Sequence, residues 1–262
     1  MKSINEVNIH TRKLDVDDDH IPEKGVLPFI TEEDYGKVLV VSSDGSWEIT
    51  ESSSHGATLP YVEETYDSNS NLIDAKLVGY TVIRNNAFNG CTNLALTSLP
   101  SGITSIGNNA FTGCTNLALT SLPSGLTSIG ASAFAGCTNL ALTSLPSGLT
   151  SIGAMSFNNC KNLALTSLPS GLTSIGASVF RNCKKLALTS LPSGLTSIAT
   201  YSFRDCTNLT SITFEGTPTT IANNSFNGCT NLTTINVPWA EGEVANAPWG
   251  ATNATINYNY VP

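Results

Sequence analysis

Apolar positions recur along most of the chain at a fixed interval of 23 residues. One interval, residues 117–139, contains two short apolar clusters, LALTSLP and LTSIG, followed by the segment ASAFAGC. The two clusters have the composition of short extended segments, and Pro123 ends the first because proline has no N–H to donate. In the third segment, Phe134 and Cys137 are three residues apart, which is the spacing of one face of a helical or 3₁₀ turn. Each interval is therefore predicted to form one coil with short strands and a short helical side.

Three apolar columns carry this period through seven intervals without a slip. The phenylalanine column is Phe88, Phe111, Phe134, Phe157, Phe180, Phe203 and Phe226, and the cysteine column is Cys91, Cys114, Cys137, Cys160, Cys183, Cys206 and Cys229. The leucine column is Leu94, Leu117, Leu140, Leu163, Leu186, Leu209 and Leu232. A leucine-rich period of about 20–29 residues is typical of a leucine-rich-repeat solenoid, whose coils bury each other's apolar faces. We predict an α/β, β-rich solenoid over residues 77–238.

The middle leucine of the first cluster is ambiguous in five central coils. This column consists of Leu96, Leu119, Leu142, Leu165 and Leu188. In a regular strand, side chains alternate between the two faces, so the column would face outward and form an apolar contact stripe. If the strand bends, the leucines are buried and Thr97 and its equivalents turn outward. We expect burial, because L-x-x-L-P-x-x-L is itself a known leucine-rich-repeat spacing.

The string GLTSIGASAFAGCTNL resembles the repeat of the bacterial BspA-like leucine-rich repeat family, with its core of roughly I-G-x-x-A-F-x-x-C-x-x-L. The resemblance extends over about residues 78–238. It implies a solenoid that serves as a binding surface, such as a bacterial surface adhesin that binds host proteins.

Charge divides the chain near residue 76. Residues 1–76 contain sixteen acidic and six basic residues, a net charge of −10, whereas residues 77–262 contain four and six, a net charge of +2. Nucleic acid is not an expected partner, because phosphate contacts need clustered Lys and Arg. We predict an acidic attachment or capping segment with β-hairpins at residues 1–76, centred on Asp44-Gly45 and residues 67–71, and a C-terminal cap at residues 239–262.

The flanking segments indicate a setting for the protein. Two of them resemble segments of phage and prophage tail-fibre proteins: ITEEDYGKVLVVSSDGSWEI at residues 30–49 and VPWAEGEVANAPWGATNATINYNY at residues 237–260. The N-terminus shows no apolar signal-peptide core, and no run of 18 apolar residues predicts membrane insertion. We therefore expect a virion component made in the host cytoplasm. Its N-terminal segment would bind other virion proteins, and fold analogy suggests a homotrimer. A bacterial cell-surface adhesin is the alternative.

Two sets of residues are candidates for binding a host-surface glycan or protein. The first set is the exposed threonine column of the bent-strand alternative, Thr97, Thr120, Thr143, Thr166 and Thr189. The second set is two pairs of stacked basic residues, Lys161 with Lys184 and Arg181 with Arg204. Stacked like charges repel unless a counter-ion or partner relieves them. An anionic ligand and a simple solubilising patch are both open interpretations of the basic pairs.

The other reactive residue types favour structural roles. The cysteines lie in an apolar column at a spacing that matches no zinc motif, which predicts a reduced core ladder. An asparagine column after the cysteines predicts bonds to backbone groups in turns. Trp239 and Trp249 are expected to cap the last coil, with sugar stacking as the alternative. The aspartates at 15 and 17–19 lack the glycine and distal glutamate of an EF-hand loop.

We expect no catalytic residue, no metal and no cofactor, and hence no enzyme.

Overall fold

The computed structural model describes residues 37–41, 47–51, 61–69, 71–78 and 80–261. These residues contain fifteen strands and no helix. The strands before and within the first four coils are β1 (Lys37–Val41), β2 (Trp47–Glu51), β3 (Tyr61–Tyr66), β4 (Leu72–Val78), β5 (Val82–Ile83), β6 (Ser105–Ile106), β7 (Ser128–Ile129) and β8 (Ser151–Ile152). The later strands are β9 (Ser174–Ile175), β10 (Ser190–Leu191), β11 (Ser197–Ile198), β12 (Ser211–Phe214), β13 (Thr220–Ile221), β14 (Thr234–Asn236) and β15 (Thr255–Asn257).

Two antiparallel hairpins precede the coils, as the turn signals predict. β1 pairs with β2 over five residue pairs, and β3 pairs with β4 around the turn that begins at Asp67. The side chains of Ala75 and Leu77 in β4 belong to the same buried cluster as the coils. The N–H of Ala95 also donates to the carbonyl of Ile73, at 2.8 Å. The second hairpin therefore covers the first coil of the solenoid.

The LTSIG clusters stack in parallel from one coil to the next. β5 to β8 form one four-stranded sheet, in which each strand pairs in register with the next, 23 residues later. β9, β11 and β13 form a three-stranded sheet from the same position of later coils. On the LALTSLP side, strands form only towards the C-terminus, as the parallel sheet β10-β12-β14-β15. The leucine-rich-repeat solenoid predicted from the 23-residue period is confirmed.

The phenylalanine–cysteine side of each coil is a series of turns, where the sequence predicts a short helical segment. In each of the six coils from Phe88 to Phe203, two residues have left-handed backbone angles, for example Ser132 at φ 54° and Gly136 at φ 78°. A right-handed helix cannot continue through such residues. Their N–H groups bond to the next coil, with Ser132 donating to the carbonyl of Ala154 at 2.9 Å and Gly136 to that of Asn158 at 2.8 Å. Contacts between coils therefore replace contacts within a helix.

Columns of identical side chains fill the core. The seven phenylalanine rings stack with centroids 5.1–5.8 Å apart and planes within 17° of parallel. At the C-terminal end, Trp239 and Trp249 are buried beside Phe214, and the indole N–H of Trp249 donates to the carbonyl of Ala245 at 2.8 Å. Burial in the last coils leaves neither tryptophan available to stack on a sugar.

Candidate functional site

The ambiguous leucine column is buried, as expected. Leu119, Leu142 and Leu165 are completely inaccessible to solvent, and the two outer members of the column are at most 5% exposed. The chain bends at the threonine that follows in coils such as the one containing Thr120. As a result, all five candidate threonines, Thr97, Thr120, Thr143, Thr166 and Thr189, are exposed along one side of the solenoid. Together these threonines form the first element of the candidate site.

The hydroxyl groups of this column have no hydrogen-bond partner among the described residues. A second threonine column, in the LTSIG cluster, behaves differently. Thr127 donates its hydroxyl proton to the carbonyl of Thr104 at 3.1 Å, and Thr196 donates to that of Thr173 at 2.9 Å. The LTSIG threonines therefore link neighbouring coils, while the candidate column leaves its hydroxyls available to another molecule.

Asparagines extend the candidate site in the central coils. The sequence predicts that the asparagine column bonds to backbone groups, and this holds for Asn208 and Asn231, which donate to carbonyls one coil away. The side-chain amides of Asn116, Asn139 and Asn162 have no such bond within the described part of the chain. Sequence reasoning therefore identified the column but missed the change of role in its central members.

Each central coil presents an outward row of asparagine, alanine and threonine. In one coil the row is Asn139, Ala141 and Thr143, at alternate positions, while Leu140 and Leu142 between them are buried. Successive coils repeat the row at about the 4.8 Å spacing of neighbouring strands. We name the rows of residues 116–120, 139–143 and 162–166 the Asn–Ala–Thr face. The face is uncharged and carries both hydrogen-bond donors and acceptors.

The basic candidates lie beside this face, at the corner where the turns end. Lys161 is exposed, and Lys184 and Arg181 are half-buried. Arg204 differs from them, because its Nε lies 3.4 Å from Oδ2 of Asp205 and its guanidinium lies 4.9 Å from the centre of the Tyr201 ring. The basic candidates therefore lie next to the face along the chain, and of the four only Arg204 is paired with a carboxylate of the described residues.

The cysteines form a ladder of reduced thiols, as predicted. None of the seven is in a disulfide, and all except the half-buried Cys91 are buried. Each buried thiol donates to the carbonyl of the phenylalanine in the preceding coil, over 2.9–3.1 Å. Burial raises the pKa of Cys114 and Cys229 to about 12, and raises the pKa of Cys160, at the centre of the ladder, well above its ordinary range. These thiols stay protonated at neutral pH, which makes them poor nucleophiles and metal ligands.

Among the described residues, no group of three or more His, Cys, Asp or Glu side chains is arranged to hold a metal ion. The same part of the chain holds no helix with the length and apolar character needed to cross a membrane. The three histidines of the sequence, His10, His20 and His55, and the aspartates at 15 and 17–19 lie outside the described residues.

Comparison with known proteins identifies the repeat. The family model described as BspA type Leucine rich repeat region matches the chain in six copies, over residues 64–187 and 150–246. No curated protein matches the sequence.

Several solved structures of leucine-rich repeat proteins are similar to this chain. The leucine rich repeat protein of T. pallidum is 29% identical, with 68% of this chain and 82% of that chain covered and a TM-score of 0.47. A leucine rich cell surface protein from Faecalibacterium prausnitzii A2-165 is 24% identical, with coverage of 63% and 59% and a TM-score of 0.40. A leucine-rich repeat protein from Bacteroides ovatus ATCC 8483 is 17% identical, with coverage of 78% and 77% and a TM-score of 0.38.

Proposed function

This chain belongs to the BspA-type leucine-rich repeat family, and we propose that it is a non-enzymatic recognition protein whose Asn–Ala–Thr face binds a glycan of a cell surface. The observation that carries the proposal is the contrast between the two threonine columns. Hydroxyls such as that of Thr127 are used between coils, whereas those of Thr120, Thr143 and Thr166 are exposed and have no partner among the described residues.

The chemistry of the face fits a carbohydrate. Sugar hydroxyls both donate and accept hydrogen bonds, and the face offers hydroxyl and amide groups that do the same. Ala141 and its equivalents keep the rows flat between these groups, so a chain of sugars can lie close to the backbone. Because nearly identical rows repeat from coil to coil, a polymer with a repeating unit can form the same weak contacts several times, and the contacts reinforce one another through multivalency.

The absence of an activity is part of the proposal. The buried cysteines are held protonated, which argues against a thiol nucleophile in the coils. The coils that carry Thr120, Thr143 and Thr166 contain no Asp, Glu or His residue, so they supply no carboxylate or imidazole as a general base. Recognition through many weak contacts requires neither a nucleophile nor a general base.

Two particles are proposed to display the Asn–Ala–Thr face, a virion and a bacterial cell, and each is called a carrier below. The first is a phage or prophage virion, as a tail-fibre or receptor-binding protein. It is supported by the resemblance of residues 30–49 and 237–260 to tail-fibre segments. In this setting the acidic N-terminal segment attaches the protein to other virion proteins, in a homotrimer, and the solenoid faces the host cell.

The second carrier is the bacterial cell surface, where the protein acts as an adhesin that binds host proteins or glycans. It is supported by membership of the BspA-type family. The two carriers make different predictions for location and for neighbouring genes, but they share the same binding face.

A glycan array tests the ligand. The wild-type chain is compared with the triple variant Thr120→Val, Thr143→Val and Thr166→Val, which removes three hydroxyls at nearly constant volume. The matched control removes three exposed hydroxyls outside the face, by Ser124→Ala, Ser147→Ala and Ser170→Ala. We expect a repetitive glycan to bind to the wild type and the control and to lose at least about 10-fold in affinity with the triple variant. Equal binding by all three proteins would exclude the face as the site.

Localisation tests the carrier. Mass spectrometry of purified phage particles, after prophage induction, is compared with protease shaving of intact producer cells. Peptides of this chain in particles support the virion carrier, and peptides released only from intact cells support the adhesin. Detection of neither, with the protein abundant inside the cells, would rule out both carriers.

A further inference from the structure

Four cationic side chains occupy adjacent coils without an anionic partner. Lys161 is in one coil, and Arg181, Lys184 and Lys185 are in the next. None of the four forms a salt bridge among the described residues. The sequence contains no acidic residue between Asp74 and Asp205, so the coils that carry these cations and the coils before them supply no carboxylate. We name these four residues the cationic corner.

The arrangement of the corner is unfavourable for the isolated protein. Lys161 and Lys184 occupy equivalent positions one coil apart, and Arg181 lies three residues before Lys184. Like charges at the spacing of neighbouring coils repel, and the repulsion grows where side chains are withdrawn from water. Arg181 and Lys184 are both half-buried. A ligand that brings negative charge would relieve this repulsion on binding.

Arg204 is not part of the corner, although the sequence pairs it with Arg181. Its guanidinium is already neutralised by Asp205, at 3.4 Å, and lies over the ring of Tyr201. Arg204 thus has both an anionic partner and an aromatic ring within its own coil. The corner lacks such compensation.

The corner is continuous with the Asn–Ala–Thr face. Lys185 occupies the position of the asparagine column, so the row of its coil is Lys185, Ala187 and Thr189. Lys185 and Thr189 are both exposed. A linear ligand that follows the asparagine column past Asn139 and Asn162 therefore meets Lys185 next. One molecule can contact both the uncharged face and the corner.

We propose that the glycan bound by the face is an anionic polymer, whose carboxylate or phosphate groups are held by Lys161, Arg181, Lys184 and Lys185. This inference rests on the proposed function, because it names the chemical class of the same ligand. Arg181 supplies a planar donor group suited to carboxylates and phosphates, and the lysines supply point charges around it. The neutral coils contact the sugar hydroxyls, and the cationic corner gives an anionic polymer a higher affinity than a neutral one.

The repeat itself provides variants that remove the charges at little risk to the fold. Threonine stands at the positions of Lys161 and Lys184 in other coils, as at Thr138, and asparagine stands at those of Arg181 and Lys185, as at Asn158 and Asn162. The quadruple variant K161T/R181N/K184T/K185N therefore uses only residues that equivalent positions already carry. A second protein adds Ser101→Lys, Ser124→Lys, Ser147→Lys and Ser170→Lys to it, which restores the net charge on exposed turns away from the corner.

Binding to polygalacturonate, polyphosphate and neutral dextran is measured by biolayer interferometry across a range of salt concentrations. We expect the wild type to bind at least one of the two polyanions, with affinity falling steeply as salt rises, by a log–log slope of about −3 for four contacts to a flexible polyanion. The quadruple variant is expected to lose at least about 10-fold in affinity, and the charge-relocated protein to stay equally weak. Preference for polygalacturonate assigns carboxylate as the anionic group, and preference for polyphosphate assigns phosphate.

Three results of the binding measurement would overturn the inference. They are a wild type that binds neither polyanion, a quadruple variant that binds as the wild type does, and a charge-relocated protein that recovers full binding, which would show a net-charge effect only. If light scattering shows that the quadruple variant dissociates an oligomer, the corner is a contact with the acidic segment of a second copy and the inference is wrong. The glycan array separates these failures from failure of the proposed function, because binding of a neutral glycan that depends on Thr120, Thr143 and Thr166 would leave that function standing.

Discussion

At the scale of single residues, the cysteine position shows how one side chain links two coils. The carbonyl of Phe111 accepts the backbone N–H of Cys114, in its own coil, at 3.1 Å, and the thiol of Cys137, in the next coil, at 3.0 Å. Both lone pairs of the carbonyl are therefore used. The sequence predicted a buried, reduced ladder from the apolar column, but the acceptor depends on the turn geometry, which a single sequence does not specify.

Thiol titration should make the stability of the protein fall in alkaline solution. Burial raises the pKa of Cys114 and Cys229 from 9.0 to about 12, so the folded state keeps protons that the unfolded state releases. The stabilising contribution is complete below pH 9 and is lost progressively as pH rises from 9 towards 12. Thermal unfolding between pH 7 and 10.5 measures the decline.

The double variant Cys137→Ser and Cys160→Ser is the control for this titration. Burial also raises the pKa of these two thiols, and serine can donate the same bond without titrating. Its melting temperature should fall less steeply above pH 9 than that of the wild type. Identical slopes would mean that the thiols do not cause the decline.

Two buried serines at equivalent positions should respond oppositely to alanine. The hydroxyl of Ser156 is buried with no hydrogen-bond partner, whereas that of Ser202 has two carbonyls in reach of its one proton, Gly176 at 3.2 Å and Ala199. Alanine already stands at this position at Ala133. We expect Ser156→Ala to be neutral or to stabilise by up to about 1 kcal/mol, and Ser202→Ala to destabilise by about 1 kcal/mol. Urea unfolding of both variants measures the difference, and an equal loss in the two would contradict this account.

At the scale of elements, backbone contact between coils decides what the local sequence leaves open. The strands at the LTSIG clusters follow from the apolar pattern and were predictable. The helical side was not formed, because residues such as Ser132 and Gly136 adopt left-handed angles that allow their N–H groups to reach the next coil. Phe–Cys spacing alone does not distinguish a helical turn from such a series of turns. The carbonyls that accept from these N–H groups lie in the next coil, so the reason for the left-handed angles appears only when the coils are stacked.

The glycine that ends each LTSIG cluster provides a test of coil spacing. A Cβ at Gly153 would lie 2.6 Å from the carbonyl carbon of Gly130, whereas a Cβ at Gly176 would lie 3.4 Å from Cα of Ala154. The first contact forces two backbones apart, and the second is nearly ordinary packing. We expect Gly153→Ala to destabilise the protein by about 1–3 kcal/mol and Gly176→Ala to change its stability by much less. Denaturant unfolding of the pair measures this, and equal effects would show that coil spacing does not depend on the glycine.

At the scale of the whole molecule, the 23-residue period places equivalent side chains in columns along the solenoid, and the exposed columns form the Asn–Ala–Thr face. The fold was predictable because every apolar column repeats at 23 residues, and the burial of the Leu96 column followed from the leucine–proline spacing. The face was predictable only in part. Thr97 and its equivalents were identified from the bend, but the role of Asn116, Asn139 and Asn162 depends on which side-chain amides find a backbone partner in the folded chain. The cationic corner required the position of Asp205, which compensates Arg204 and leaves Arg181 unpaired.

If the Asn–Ala–Thr face binds a repetitive ligand, each coil adds its own contacts to the affinity. Deletion of residues 117–139 removes one whole coil in register, and deletion of residues 117–162 removes two, so that the remaining coils can stack as before. Circular dichroism and thermal unfolding confirm that each shortened solenoid is folded. The affinity of each protein for the strongest glycan of the array is then measured by biolayer interferometry. We expect affinity to fall several-fold with each coil removed, and unchanged affinity in both folded deletion variants would show that the face is not the binding site.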